Sequence, residues 1–263
     1  MTTKKYTALL LLIFIFPFAA FAQKGKNDSG SSDKNDKLYK KLDTYYVTDK
    51  FDKCIDAAMG YTESDKTSKD PQPYLYCSMG FLGVYRNPDK YTMKKFPDFK
   101  DPLRKSLSYY GKFRKRDKTG EQHELNSGYA DDLKNETIHM MDDLLEKNDK
   151  TKMGGYAREI SKAFFNDGVM LLLSGSQLVL SGNVGDGLKF IDSSYKYLSV
   201  DTARQFNETE AACMSKYFIL YTEYLLAQKK KESTEKAKTL IELAEKLLPN
   251  DAAIKEERVK ISG

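Results

Sequence analysis

The sequence predicts an all-α protein, and two observations lead to this expectation. Apolar residues recur at helical spacing, as at Leu38, Leu42 and Tyr45. Strand signals are nearly absent, because no run of Val, Ile or Thr alternates with period two and no Asn-Gly pair offers a tight hairpin turn. Apolar residues make up 40% of the 263 residues and charged residues 31%, which suits a helical chain with both a core and a solvated surface.

The first 22 residues have the pattern of a secretory signal peptide. Lys4 and Lys5 precede the apolar run 8–16, and residues 20–22 (Ala-Phe-Ala) form a small-x-small cleavage pattern. The run has nine residues, whereas a membrane-spanning helix needs about 20. The Phe-rich segment resembles the export signals of Bacteroidota-type bacteria. We therefore expect cleavage near Ala22 and a periplasmic protein.

Two regions follow the signal peptide. Residues 23–37 are rich in Lys, Asp, Ser and Gly and carry no apolar side chain, which predicts a disordered linker. Residues 38–263 form the predicted helical domain, in which 169–180 is apolar enough to be a buried core helix. Helix breaks are expected at 71–73, 87–88, 96–102, 154–155, 182–187 and 249–250, and long helices at 101–116, 121–147 and 156–180.

The C-terminal part of the chain contains a repeat-like pattern. Ala237, Ile241, Ala244 and Pro249 stand at the small, large, small and Pro positions of a tetratricopeptide-repeat second helix, which this segment resembles. Two weaker units, at 38–62 and 175–201, follow the same pattern. The first has Leu38, Leu42 and Tyr45 in its first helix and Phe51, Cys54 and Ala58 in its second, and the other has Gly185 at the turn with Phe190, Ser194 and Tyr197 after it. The resemblance implies a degenerate tetratricopeptide-like solenoid of helical hairpins. The alternative is an irregular helical bundle.

Several catalytic and cofactor patterns begin in this sequence and stop short. His123-Glu124 opens a HExxH zinc motif, but position 127 is Ser. Glu136 and His139 have the Glu-x-x-His spacing of di-iron helices, which need a second such pair. The Gly-rich segment 182–187 lacks the Lys-Ser/Thr ending of a phosphate-binding loop. We therefore predict no enzyme activity and no cofactor.

Three cysteines and one short motif leave open alternatives. Cys54 and Cys77 fall on helices that would be neighbours in a solenoid, so they are candidates for a disulfide, and two buried free thiols are the alternative. Cys213 would stay unpaired. Thr202, in the sequence Asp-Thr-Ala, matches a short O-glycosylation pattern of Bacteroidota-type bacteria and is a candidate site.

Charge is segregated along the chain. Residues 94–118 contain ten Lys or Arg against three acids, and residues 131–149 contain seven acids against two Lys. One interpretation is that the two segments neutralise each other. The other is that the basic segment docks an acidic partner, anionic lipid or cell-wall polymer. The candidate docking residues are Arg104, Lys105, Arg114, Lys115 and Arg116, and the helical rotation of about 100° per residue predicts that at least one of 114–116 faces solvent.

The repeat pattern also predicts a concave groove lined by first helices. By that pattern Tyr39, Asp43 and Tyr46 would face the groove near its start, and Thr222 and Leu226 near its end. Tyr residues suit protein contacts, because a rigid apolar ring carries a polar tip.

These observations together predict a non-catalytic periplasmic scaffold that binds a protein partner in an envelope complex, such as secretion or gliding machinery. A net charge of +5 is too mild to indicate nucleic acid by itself, and the expected export from the cytoplasm argues against it. Peripheral contact with membrane or cell wall is a further expectation from the basic segment. The alternative function is an enzyme or small-ligand receptor with a pocket between the helices of residues 121–180.

Overall fold

The computed structural model describes residues 32–92, 99–200 and 204–262. In these ranges the chain forms twelve α-helices and no strand, which confirms the all-α prediction. The helices are α1 (Ser32–Val47), α2 (Phe51–Glu63), α3 (Gln72–Arg86), α4 (Pro102–Arg116), α5 (Glu121–Leu125), α6 (Ser127–Glu146), α7 (Lys150–Ala163), α8 (Gly168–Leu180), α9 (Val184–Leu198), α10 (Glu208–Ala227), α11 (Lys231–Leu247) and α12 (Ala252–Ser262). The predicted signal peptide, linker residues 23–31 and Thr202 lie outside the described residues.

The described residues from Leu38 onward form one compact unit. Within this unit the helices pack in series: α2 on α3, α3 on α4, α4 on α7 and α7 on α8. Helix α8 contacts both α9 and α10. Helix α11 packs on α10, and α12 packs on α11. The series leaves clefts between helices that belong to different packed pairs.

Helix α8 is the most deeply buried element, as its apolar sequence predicts. Every residue from Gly168 to Val179 is buried. The helix is capped by Asp167, whose side chain accepts hydrogen bonds from the backbone N–H groups of Val169 and Met170 at 3.0 and 3.1 Å. This cap divides the predicted helix 156–180 into α7 and α8, so that prediction of one continuous helix was wrong.

Two other helix boundaries also differ from the prediction. Residues 154–155, a Gly-Gly pair, lie inside α7, because Gly in a helix costs only about 1 kcal/mol relative to Ala and the neighbouring Met153, Tyr156 and Ile160 are buried. Asn126 separates α5 from α6 within the predicted helix 121–147.

Helix α1 begins at Ser32, inside the predicted disordered linker. The linker prediction was therefore wrong for residues 32–37. Once Tyr39 and Leu42 are buried, extending the helix backward by six residues adds hydrogen bonds without a new nucleation step.

Glycine allows α8 and α9 to touch through their backbones. A Cβ atom on Gly187 would lie 2.7 Å from the carbonyl oxygen of Gly175, and one on Gly175 would lie 2.8 Å from that of Gly187. The turn itself contains Gly182, which has a φ of +95°. Gly185, predicted at the turn, lies in the first turn of α9 in open space. The close approach thus depends on Gly175 and Gly187.

The C-terminal helices place the repeat-like residues in the core. Ala237, Ile241 and Ala244 are buried on α11, and α11 ends at Leu247, shortly before Pro249. Their burial confirms that this face of α11 is packed.

A buried lysine joins three helices. The Lys134 ammonium on α6 lies 2.6 Å from the Asp167 carboxylate and 2.8 Å from that of Glu210, which Arg204 also approaches at 2.7 Å. Burial alone would lower the pKa of Lys134, but the two carboxylates outweigh burial and raise it. Lys134 is therefore charged, and it holds α6 against the N-terminal ends of α8 and α10.

Candidate functional site

The candidate site is a groove beside the C-terminal half of α4, which we call the basic groove. Its second wall is the C-terminal end of α7 with the turn that follows, and its volume is about 620 Å³. The lining residues are Ser108, Gly111, Lys112, Arg114, Lys115, Asp117, Lys118, Glu159, Lys162 and Phe165.

The amphipathic pattern of α4 explains why this groove is basic. Leu107, Tyr110 and Phe113 are fully buried, whereas Lys112 and Lys115 on the other side of the helix are exposed. Gly111 allows the two walls to approach, because a Cβ atom there would lie 3.3 Å from the backbone carbonyl carbon of Lys162. The groove therefore forms where two helices cross closely at a glycine.

Positive charge exceeds negative charge in the groove. Its lining has five cationic and two acidic side chains, a difference of 5 − 2 = +3. Glu159 already pairs with Lys162 at 3.1 Å, and Asp117 accepts hydrogen bonds from two backbone N–H groups of α5. Lys115 and Lys118 are exposed and form no ion pair within the described residues. An anionic group entering the groove would meet these two lysines first.

An exposed aromatic ring adds an apolar contact. Phe165 keeps 49% of its surface accessible, which is unusual for Phe. The Arg114 guanidinium carbon lies 5.0 Å from the centre of this ring. The groove therefore offers both positive charge and one apolar surface.

Arg114 is held in place from behind by a histidine. Its guanidinium donates to His123 Nε2 at 3.0 Å and to Asn166 Oδ1 at 3.1 Å, while the Tyr110 hydroxyl lies 2.8 Å from His123 Nδ1. Burial, and then the charge of Arg114, lowers the pKa of His123. The ring is neutral, with Nε2 accepting from Arg114 and Nδ1–H donating to Tyr110, because an arginine can only donate.

The predicted basic residues divide among several surfaces. Arg114 and Lys115 line the groove, and Lys115 confirms that at least one residue of 114–116 faces solvent. Arg116 lies over the Tyr74 ring at 3.7 Å and donates to the Ser68 carbonyl. Arg104 pairs with Asp101 at 3.1 Å, and Lys105 lies 5.3 Å above the Phe81 ring. Arg104, Lys105 and Arg116 therefore do not belong to the groove.

The acidic segment 131–149 has other partners. Asp132 and Glu136 bind Arg86 at 3.1 and 2.8 Å, and Asp142 binds Lys216 at 2.9 Å. Helix α4 packs on α3 and α7, while α6 packs on α7 and α10. The described ion pairs thus do not support mutual neutralisation of the two charged segments.

The predicted groove of first helices was wrong at two positions. Tyr39 is 2% exposed and donates a hydrogen bond to Asp70 at 2.6 Å, and Thr222 is fully buried in α10. Asp43 is exposed, Tyr46 packs half-buried on Phe51, and Leu226 is half-buried. Because Tyr39 and Thr222 are buried, the five predicted residues do not form one exposed surface. The repeat pattern identified buried helix faces here instead of a binding surface.

The cysteines are all free and buried, so the candidate Cys54–Cys77 disulfide does not form. Burial raises the pKa of Cys54 to about 12 and that of Cys77 further. Cys54 and Cys77 are therefore two buried free thiols, which was the alternative to the disulfide.

The alternative pocket within 121–180 does not bring its candidate residues together. His139 is exposed, and Glu136 is engaged by Arg86. The described residues contain no group of three or more His, Cys, Asp or Glu side chains placed to hold a metal ion. None of the helices in the described ranges has the length and apolar composition that crossing a bilayer requires.

Sequence reasoning did not identify Lys162 and Phe165 as site residues. They join Lys115 only because α7 packs on α4. The one signal in the sequence was Phe165 itself, because the adjacent rings of Phe164 and Phe165 cannot both be buried on the same face.

No protein-family model matches this sequence, and neither a curated protein nor a solved structure matches the chain.

Proposed function

We propose that this protein is a non-catalytic helical scaffold whose basic groove binds an acidic segment of a partner protein. The observation that carries the proposal is one groove of about 620 Å³ that combines half-exposed Phe165 with Lys115 and Lys118, two lysines that form no ion pair with any described residue. Acidic side chains would pair with the lysines, and an apolar residue among them would cover the Phe165 ring.

The same proposal includes the periplasm as the compartment and a tetratricopeptide-like solenoid as the architecture. The signal-peptide pattern in residues 1–22 supports the first, and the serial packing of helices with buried Ala237 and Ala244 supports the second. Helical-repeat proteins commonly serve as scaffolds, which is an argument by analogy. The partner would belong to an envelope complex such as secretion or gliding machinery.

The test is affinity capture from membranes followed by mass spectrometry, using the full chain. The groove variant changes Lys112, Lys115, Lys118 and Lys162 to Gln, and the matched control changes the exposed Lys40, Lys150, Lys231 and Lys255 to Gln. We expect the wild type and the control to recover the same acidic partner and the groove variant to lose it. Both variants should keep the helical circular dichroism spectrum, because surface substitutions change stability by about 0.5 kcal/mol or less.

A second variant separates protein binding from simple charge attraction. Phe165→Ser removes the apolar surface and no charge, so it should weaken capture of a protein partner and leave adsorption to anionic phosphatidylglycerol vesicles unchanged. Capture should also weaken with added salt, since exposed charges are screened over about 8 Å at physiological ionic strength. Equal recovery by wild type and groove variant would contradict the proposal.

A further inference from the structure

A second open cleft lies on the C-terminal helices, and the proposed function does not use it. Its walls are α9 and α11 and its floor is α10, with a volume of about 650 Å³. Helix α9 packs on α8 and α11 packs on α10, so the two walls belong to different helix pairs. We call it the tyrosine cleft, after its lining residues Tyr195 and Tyr221.

The floor and walls of the tyrosine cleft are largely apolar. Leu188 on α9 keeps 37% of its surface exposed, and Leu225 and Leu243 line the cleft from α10 and α11. The Tyr221 ring stacks on Tyr224, with ring centres 6.0 Å apart and an angle of 15° between the planes. A width set by two helix walls above a helix floor suits an amphipathic helix laid between them.

The ionisable residues of the cleft are mainly acidic. Its lining contains four acids (Asp192, Glu232, Glu235 and Glu242) and two lysines (Lys236 and Lys246), a difference of 2 − 4 = −2. Lys236 is already paired with Glu232 at 3.2 Å. The sign is therefore opposite to that of the basic groove.

Asp192 brings negative charge close to the aromatic floor. Burial first, and the Asp192 carboxylate second, raise the pKa of Tyr221 to about 12. Burial, Tyr221 and Asp192 together raise the pKa of Tyr195. A Lys or Arg side chain between Asp192 and these rings would gain both a carboxylate partner and the negative face of an aromatic ring.

We propose that the tyrosine cleft binds an amphipathic helix of a partner protein, with leucine-type residues against its floor and Lys or Arg residues along its acidic edge. The tyrosine cleft and the basic groove share no lining residue. The scaffold would then hold two segments of opposite charge at two separate places.

The test uses a fluorescently labelled 14-residue peptide with Leu at helical spacing and Lys at the remaining positions, and a matched peptide in which Glu replaces Lys. Fluorescence anisotropy with the full chain should show binding of the Leu/Lys peptide and at least tenfold weaker binding of the Leu/Glu peptide. Absence of Leu/Lys binding, or equal binding of the two peptides, would overturn the proposal.

Variants locate the binding. Asp192→Lys with Glu242→Lys reverses charge on both walls, and both residues are exposed, so folding should be preserved. The matched control is Asp56→Lys with Glu146→Lys, also exposed and outside the cleft. We expect at least tenfold weaker Leu/Lys binding for the cleft variant and less than a twofold change for the control. Equal weakening in both would mean attraction to net charge alone and would reject the cleft as the site.

Leu188→Ser tests the apolar part of the cleft without changing charge, and it should weaken the Leu/Lys peptide severalfold. The basic-groove variant with four Gln substitutions should bind this peptide like the wild type. If the basic groove captured no partner, binding of the Leu/Lys peptide to the cleft would be unaffected. If the peptide did not bind, capture of a partner by the basic groove would be unaffected. No effect of Leu188→Ser would leave only edge charges and would contradict a helix seated in the cleft.

Discussion

Around α4, neighbouring helices are joined by hydrogen bonds between polar side chains, whereas α8 and α9 contact each other through backbone atoms at two glycines. Ser78 donates to the carbonyl of Ser106 at 2.8 Å, and Tyr129 lies 2.5 Å from the Ser78 hydroxyl. At the other contact, Gly175 and Gly187 leave no room for a Cβ atom. The hydrogen bonds of His123 depend on the protonation of its ring, whereas the contact between Gly175 and Gly187 depends only on the space between the two backbones. The two regions should therefore fail under different perturbations.

The largest effect is expected where the two regions are joined. Lys134→Met would leave the Asp167 carboxylate without its cation and Glu210 with Arg204 alone, and breaking a buried pair in this way costs about 3–5 kcal/mol. Urea unfolding followed by circular dichroism measures the loss. The matched control is Lys147→Met, at a lysine whose side chain is 71% exposed. A loss below about 1 kcal/mol for Lys134→Met would show that water reaches the carboxylates.

A smaller effect tests the glycine contact alone. Gly187→Ala forces a Cβ atom against the Gly175 carbonyl, and overpacking of this kind costs about 1–3 kcal/mol. Gly185→Ala, two residues earlier in open space, should be neutral or stabilise by up to about 1 kcal/mol, because Ala favours a helix over Gly. Thermal unfolding of the two variants gives the comparison. Similar melting temperatures would mean that α9 shifts freely away from α8.

The smallest effect concerns pH and the α4 region. Because the folded pKa of His123 lies below the ordinary value of 6.5, the unfolded chain takes up its proton first as the pH falls. The His123 contribution to stability is therefore complete above pH 6.5 and is lost as the pH falls below that value. Asp117, Asp131 and Glu124 favour the protonated ring and limit the loss.

The measurement is the free energy of unfolding in urea at pH 7.5 and pH 5.5. His123→Gln keeps an acceptor for Arg114 and should reduce the difference between the two pH values. His139→Gln, at an exposed ring, is the matched control and should behave like the wild type. The same pH slope in all three proteins would contradict the assigned role of His123.

Local sequence signals located most helices and missed what depends on tertiary contacts. Proline ended or began helices as expected, at Pro102 of α4 and just before Pro249 after α11. The Gly-Gly pair in α7 did not break its helix, because burial of adjacent side chains outweighs a glycine penalty of about 1 kcal/mol per residue. Asp167 was not predicted as a helix cap, because the segment 168–180 that follows it is largely apolar.

The candidate sites were less predictable than the fold. The sequence identified Arg114 and Lys115, since a dense cluster of Lys and Arg is visible without a structure. It could not place Lys162 and Phe165 beside them, because that needs the packing of α7 on α4. Tyr39 was assigned to a binding surface from an idealised repeat, whereas its hydroxyl is used by Asp70 within the fold.

The buried thiols make the protein its own reporter of local opening. Only the thiolate reacts with an alkylating reagent, and burial raises the pKa of Cys54, Cys77 and Cys213. Each cysteine can therefore be modified only when its helix separates from its neighbours. Cys54 and Cys77 lie on α2 and α3, and Cys213 lies on α10. The rates at which the corresponding peptides gain mass would show whether the two ends of the helical series open together or independently.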